Sequence, residues 1–310
     1  MRAAALRRLA LAAALAAAAG AARAGIDDII DAIQSSEFRF GRAKSEVPFP
    51  PLGWVQYRAY DAARFSDTQG LRPPAEAAES TWSVGGLVPV YVAARDMVVL
   101  GGDYSRSSIS VRAGPYRDQR VDQATLVAAW LRQFGESETV AVFAAPMISR
   151  DARSDRASHV NGFGGVIGMH WQSDTLQWLY GAVFEYNFGA RTLYPYFGVL
   201  WLPTPRWSVA LAVPWPTVAY ALSDRWLLEA GVSPGSTSWV TEGSEVQSTQ
   251  SLGSWNFSVG GAYRLGGHFW LYAGAGLTFG RELINGGTEG ETRFDAESRP
   301  VYTLALQFRP

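Results

Sequence analysis

Between Leu176 and Phe188 the side chains change character at every residue. Leu176, Trp178, Tyr180, Ala182, Phe184, Tyr186 and Phe188 take one parity, and Gln177, Leu179, Gly181, Val183, Glu185 and Asn187 take the other. A period of two is the signature of a strand whose two faces meet different surroundings. The identity of the faces matters more than the period. A soluble sheet turns its apolar face into a core, whereas a transmembrane barrel turns it toward lipid and keeps small and polar residues inside. Here the second parity is rich in small and polar residues, and the same device recurs to Phe308. Trp255, Phe257, Val259 and Tyr263 oppose Asn256, Ser258, Gly260 and Arg264. Phe269, Leu271, Ala273, Ala275, Leu277 and Phe279 oppose Gly274, Gly276 and Thr278, with Trp270 and Tyr272 on the inward parity as candidates to fill part of the lumen.

The start of the chain fits export. Arg2, Arg7 and Arg8 precede and enter the apolar run Leu9 to Ala19, and Ala22-Arg23-Ala24 makes a small-x-small cleavage site. The run is about eleven residues, against roughly 20 for a spanning helix, so residues 1–24 read as a signal peptide. Losing its four arginines leaves 23 basic and 28 acidic residues, a charge balance that disfavours nucleic-acid binding. No later stretch has the length and apolarity of a helical span. The absence of cysteine excludes a disulfide framework, a thiolate metal site and a cysteine lipid anchor.

Residues 25–52 read as a periplasmic segment. Ile26, Ile29, Ile30 and Ile33 give 25–37 the pattern of a short helix, and Pro48, Pro50 and Pro51 make the rest irregular. Residues 53–310 form the barrel domain, with strands expected at 53–62, 80–93, 97–112, 124–134, 138–149, 161–173, 176–188, 193–203, 207–214, 216–223, 225–236, 252–265, 268–280 and 298–309. Long connections (63–79, 113–123, 150–160, 237–251, 281–297) alternate with tight turns near Arg95, Gly135, Asp174, Pro205, Asp224 and Gly267. With the N-terminus in the periplasm, the tight turns fall on the periplasmic rim and the long loops outside, as outer-membrane barrels require. Val213-Pro214-Trp215-Pro216 is read as a turn between two short strands, which gives about 14 strands, with 12 as the alternative. The expected class is therefore an all-β, antiparallel transmembrane barrel in the bacterial outer membrane. Outer-membrane lipids and the assembly machinery are its expected partners.

Tyr194-Pro195-Tyr196-Phe197-Gly198, Val213-Pro214-Trp215-Pro216 with Val218-Ala219-Tyr220, and Ser223-Asp224-Arg225-Trp226 resemble an uncharacterised family of bacterial outer-membrane β-barrel domains. The resemblance implies compartment and fold, and no catalytic residue. The last strand, Tyr302, Leu304, Leu306 and Phe308, resembles the signal by which the assembly machinery recognises its clients, although Arg309 and Pro310 follow the aromatic.

Parity places Arg58, Asp103, Arg132, Glu185, Glu229 and Arg264 inward. If these groups meet water, they line a polar passage for small solutes, with some apolar guests on the inward aromatics. If they meet one another, they plug a structural or interaction barrel. Three histidines, His159, His170 and His268, fall at separate places and imply no common metal. His170, given lumen parity beside Gly168 and Gln172, is the main support for a lipid-modifying enzyme, and no serine-histidine signature accompanies it. The alternating charges Asp151, Arg153, Asp155 and Arg156 read as a self-compensating outer loop. No cofactor is implied, and the expectation is a non-enzyme.

Overall fold

A computed structural model describes residues 35–36, 38, 45–114, 116–152, 158–187, 190–213, 215–242, 247–287 and 290–310. The signal segment, nearly all of the expected helix at 25–37, and Arg153, Asp155 and Arg156 lie outside them. The described chain is built of strands: β1 (Gly53–Asp67), β2 (Ala75–Val92), β3 (Asp96–Ala113), β4 (Gln119–Phe134), β5 (Glu138–Asp151), β6 (Ser158–Ser173), β7 (Leu176–Asn187), β8 (Ala190–Trp201), β9 (Trp207–Val213), β10 (Thr217–Ser223), β11 (Trp226–Glu242), β12 (Gln247–Gly266), β13 (Phe269–Gly287), β14 (Gly290–Ala296) and β15 (Pro300–Phe308).

Consecutive strands pair antiparallel, and β1 pairs with β15 to close the sheet. β14 and β15 both lie between β13 and β1, so they form one stave interrupted at residues 297–299. The result is a closed barrel of 14 staves. Closure of the first strand on the last joins the two ends of the sheet, which is how strands cross a bilayer with their backbone groups paired along most of the wall.

The outer face carries an apolar belt. Val55, Tyr57, Leu100, Leu126, Trp130, Val142, Val166, Phe184, Phe197, Phe257, Leu271, Leu277, Tyr302 and Leu304 are all exposed. So much contiguous apolar surface fits hydrocarbon and not water. On the same strands the inward residues are small or polar, among them Ser83, Thr125, Gln133, Thr139, Gln177, Asn256, Thr278 and Gln307, all buried.

Above the belt, at the end bearing the longer connections, the faces exchange character. The expected long loops are largely strand: the ladder continues through 63–67, 75–79, 119–123, 237–242, 247–251, 281–287 and 290–296. Two β-bulges help to make the exchange. In β1 one extra residue between Tyr60 and Ala63 shifts the register, so that Ala63 and Phe65 turn inward while Arg64 and Ser66 stay out. In β13 Gly280, at φ 55°, supplies the left-handed residue that turns Arg281 and Leu283 inward after Thr278. Ala63, Phe65, Ala77, Ile109, Val121, Trp239, Leu252 and Phe294 thereby form a core of the soluble kind inside the outer end. The segments look loop-like in sequence because they abandon the apolar-out pattern, although they keep its period.

Candidate functional site

Five of the six charged residues expected inward hold that parity. Arg58 follows Trp54 and Gln56 on β1; Asp103 precedes Ser105 and Ser107 on β3; Glu185, Glu229 and Arg264 follow the inward rows of β7, β11 and β12. Arg132 differs. It shares parity with exposed Leu126, Trp130 and Phe134, lies 3.4 Å from Asp96, and places its guanidinium over the Phe134 ring. An arginine on the outer wall near the rim can carry its charge to the headgroups, so this position tolerates it.

His170 also stands outside. Gly168, His170 and Gln172 share the parity of exposed Val166, and His170 Nδ1 lies 2.6 Å from Glu138 Oε1. The Tyr180 hydroxyl donates to the same carboxylate at 3.1 Å. The described hydrogen bonds join no serine to this group, which is a rim cluster among interfacial aromatics. His159 opens β6 at the opposite end, and His268 follows the β12–β13 turn against the Phe308 ring.

Described side chains pack into the lumen near both ends. At the periplasmic mouth the segment before β1 enters the barrel end: Val47 is buried with Ala219, Ala221, Leu227, Ala262 and Trp270. Its backbone is held where Glu46 N–H donates to Pro205 O at 2.7 Å, and Arg206 pairs with Glu46 at 3.1 Å. Beside it Arg309 donates to both oxygens of Glu229, at 2.9 and 2.8 Å, and to Gln307. Sequence parity named Glu229 but not its partner, because Arg309 was read only as a residue following the terminal aromatic Phe308. Its inward parity with Ala305 and Gln307 was the available signal. A cavity of about 320 Å³ borders this closure, lined in part by Glu46, Asp224, Arg264, His268 and Arg309. Trp270 and Tyr272 do fill lumen space. The Tyr272 ring lies over Gly260 and Gly274, where a Cβ would come within 2.5 Å of its hydroxyl, so these two glycines make room for the ring.

At the outer mouth Arg281 is 1% exposed and donates to Glu79 at 2.6 Å, with its guanidinium 5.0 Å from the Tyr60 ring centroid and 5.4 Å from that of Phe65. Above this pair the apolar core is completed by Trp239 of β11. That strand approaches β5 and β6, from which β7–β10 separate it in the sheet, and Thr237 meets Ser107 of β3 at 3.5 Å. The outer half of β11 therefore leaves the cylinder and roofs the lumen.

The wall is low on the side that β11 abandons. β9 and β10 have seven residues each; β8 pairs with β9 only from Phe197, and β10 meets β11 only up to Gly231. Beyond these points the facing edges of β8 and β11 have no ladder partner among the described residues. Tyr194, whose hydroxyl donates to Glu185 at 3.3 Å, and Tyr196, 6.1 Å from the Trp215 ring, stand beside the gap. The Trp215 Nε1–H is buried without a partner.

The sequence model of a domain of unknown function, DUF6268, matches residues 97–308. No curated protein matches the chain. Among solved structures it is similar to a FadL homologue of Pseudomonas aeruginosa (12% identity, TM-score 0.47, 83% of this chain and 89% of that one). It is also similar to the translocator domain of the autotransporter NalP from Neisseria meningitidis (11%, 0.39, 96% and 98%). The toluene transporter TodX of P. putida gives 10%, 0.39, 88% and 93%.

Proposed function

Because the chain belongs to the family of the domain of unknown function DUF6268, which assigns no activity, we propose its function from its own geometry: an outer-membrane barrel that passes small water-soluble solutes and admits them through the low wall at β9–β10. Residues 1–24 serve as the export signal in this reading, and the segment around Val47 is a stopper at the periplasmic mouth. The observation that carries it is the pair of unpartnered edges on β8 and β11. Backbone N–H and C=O groups left open cannot face hydrocarbon, so the gap requires water or a polar guest. Behind it the lumen presents Glu185, Tyr194, Gln177 and Asp103, groups suited to hydrated solutes with polar substituents. Lumen charges that meet partners of their own, as Glu229 meets Arg309, leave only modest net selectivity for the passage.

The paired charges and the two closures favour a second reading, a structural barrel whose lumen conducts nothing. Flux separates the two. In proteoliposomes the intact protein should pass sugars and amino acids of a few hundred daltons, at the size of solutes that ordinary diffusion barrels admit. Trp215→Ala should raise the rate, and the chain contains no cysteine, so a bulky thiol reagent on Tyr196→Cys should lower it without side reactions. Absence of flux from the intact protein and from Trp215→Ala, with both folded, would establish the structural reading instead.

A further inference from the structure

We propose that the outer wall of β3, β4 and β5 holds a binding site for a phosphate-bearing headgroup of an outer-leaflet lipid, built from Arg106, Arg150 and Arg120 around the carboxylate of Asp122. The three strands put these residues in register. Arg106 opposes Asp122, and Asp122 opposes Arg150, so the three stand in one row across the strands; Arg120 opposes Ser108 one row further out. All four share the parity of exposed Leu126, Trp130 and Ile148, and so project from the barrel rather than into it.

The height of the row selects the ligand. Immediately below it the outward residues are Tyr104, Ala124 and Ile148, the last of the apolar belt; beside Arg106 on β2 stands Trp82, its ring 5.6 Å from that of Tyr104. Tryptophan and tyrosine at a strand end mark the headgroup level. The arginines therefore lie where lipid phosphates lie. An arginine fork binds a phosphate in two-point fashion more strongly than an ammonium does.

Asp122 makes the row a prepared site instead of a scatter of surface charge. It is 4% exposed. It accepts from Arg106 Nε at 2.6 Å and Nη2 at 3.1 Å, from the Tyr104 hydroxyl at 2.9 Å, and from Arg150 Nη2 at 3.4 Å. These bonds hold a guanidinium from each flanking strand against one carboxylate, Arg106 from β3 and Arg150 from β5, and use only Nε and Nη2 of Arg106 and Nη2 of Arg150. Arg120 is exposed and makes no ion pair among the described residues. Three guanidiniums against one carboxylate give the patch an excess of two positive charges. Arg150, at the start of the expected outer loop 150–160, lies instead in β5 and reaches across the sheet toward β4.

Native mass spectrometry of the detergent-solubilised protein tests the site with three probes: a diphosphorylated lipid A, the same lipid with its phosphates removed, and inorganic phosphate alone. The phosphorylated lipid should bind at least about tenfold tighter than the dephosphorylated one, the difference that one charged hydrogen bond supplies. Inorganic phosphate should compete poorly. Arg120→Gln with Arg150→Gln should remove that preference, whereas Arg150→Lys should keep part of it; both variants leave the Arg106–Asp122 pair intact, and heat-dependent migration on gels confirms their fold. Arg299→Gln, on another part of the barrel, should bind as the parent does. Equal binding of the two lipids, a preference that survives loss of Arg120 and Arg150, or inorganic phosphate binding as tightly as the lipid would each overturn the proposal.

Discussion

Trp239 gives the sharpest test of the outer closure. Its ring is 1% exposed, inside a core contributed by β1, β2, β3, β4, β11, β12 and β14. Because this core lies above the lipid-facing belt, water is its outer solvent and the hydrophobic effect operates as in a soluble domain. Truncating a buried tryptophan to alanine costs about 3–5 kcal/mol when neighbours cannot collapse, and neighbours held on a closed sheet have little freedom to do so. The indole Nε1–H, however, is buried without a partner. An unpaired donor costs about 1–3 kcal/mol, so Trp239→Phe recovers part of what its smaller ring loses. The expected order of stability is parent, then Trp239→Phe close behind, then Trp239→Ala well below. Denaturant unfolding in lipid vesicles measures it, and bilayer conductance of the same proteins should rise for Trp239→Ala as the roof opens. Equal losses for the two variants would refute the argument about the indole donor. An alanine variant within about 1 kcal/mol of the parent would refute the core itself.

The Arg281–Glu79 pair should behave as buried ion pairs do. Glu79→Ala strands a guanidinium and should cost about 3–5 kcal/mol, while replacing both residues by methionine should cost far less in the same unfolding assay; a double variant as weak as the single would contradict this. In the outer turn after β1, hydrogen bonds from the Gln69, Arg72 and Leu71 amides hold the Asp67 carboxyl below its ordinary value of 3.8, the Gln69 bond contributing most. A folded-state value below the unfolded one means that the contribution is present above pH 3.8 and is lost as pH falls through the folded value. Exchange of those three amides should therefore accelerate, after correction for intrinsic rates, below about pH 4, and Asp67→Asn should flatten the dependence.

Much of this architecture was legible because a barrel repeats one signal many times. The alternation at Leu176–Tyr186, the break between the short strands β9 and β10, and the inward Trp270 and Tyr272 all carried over to the structure, since each depends on period and local backbone geometry alone. What did not carry over depended on register between distant strands. The strand stretches 63–67 and 281–287 keep period two but exchange faces across a bulge, and a single extra residue such as Gly280 is invisible until its partner strand is known. Arg132 and His170 were assigned inward parity, Arg132 among the charged residues and His170 with Gly168 and Gln172, whereas they share the parity of exposed Trp130 and Val166 and so point out. Near a membrane rim polarity stops being a guide to the face, because the headgroups accept it. The low wall was half visible: two short strands were expected, but the departure of β11 toward β5 and β6 has no local signature.

Two of the buried ion pairs also act on the shape of the sheet. Arg309 follows β15 and reaches Glu229 on β11, skipping β13 and β12; Arg281 on β13 reaches Glu79 on β2, skipping the β14–β15 stave and β1. Each pair joins staves three apart, which in a flat sheet would stand roughly 14 Å from one another. They meet at 2.8 and 2.6 Å because the sheet is curled, so each is a chord drawn across an arc. The second chord spans the seam between first and last strands, and the first curls the arc beside it. Flattening or unzipping that seam would have to stretch both, so the residues that close the lumen also hold the cylinder round.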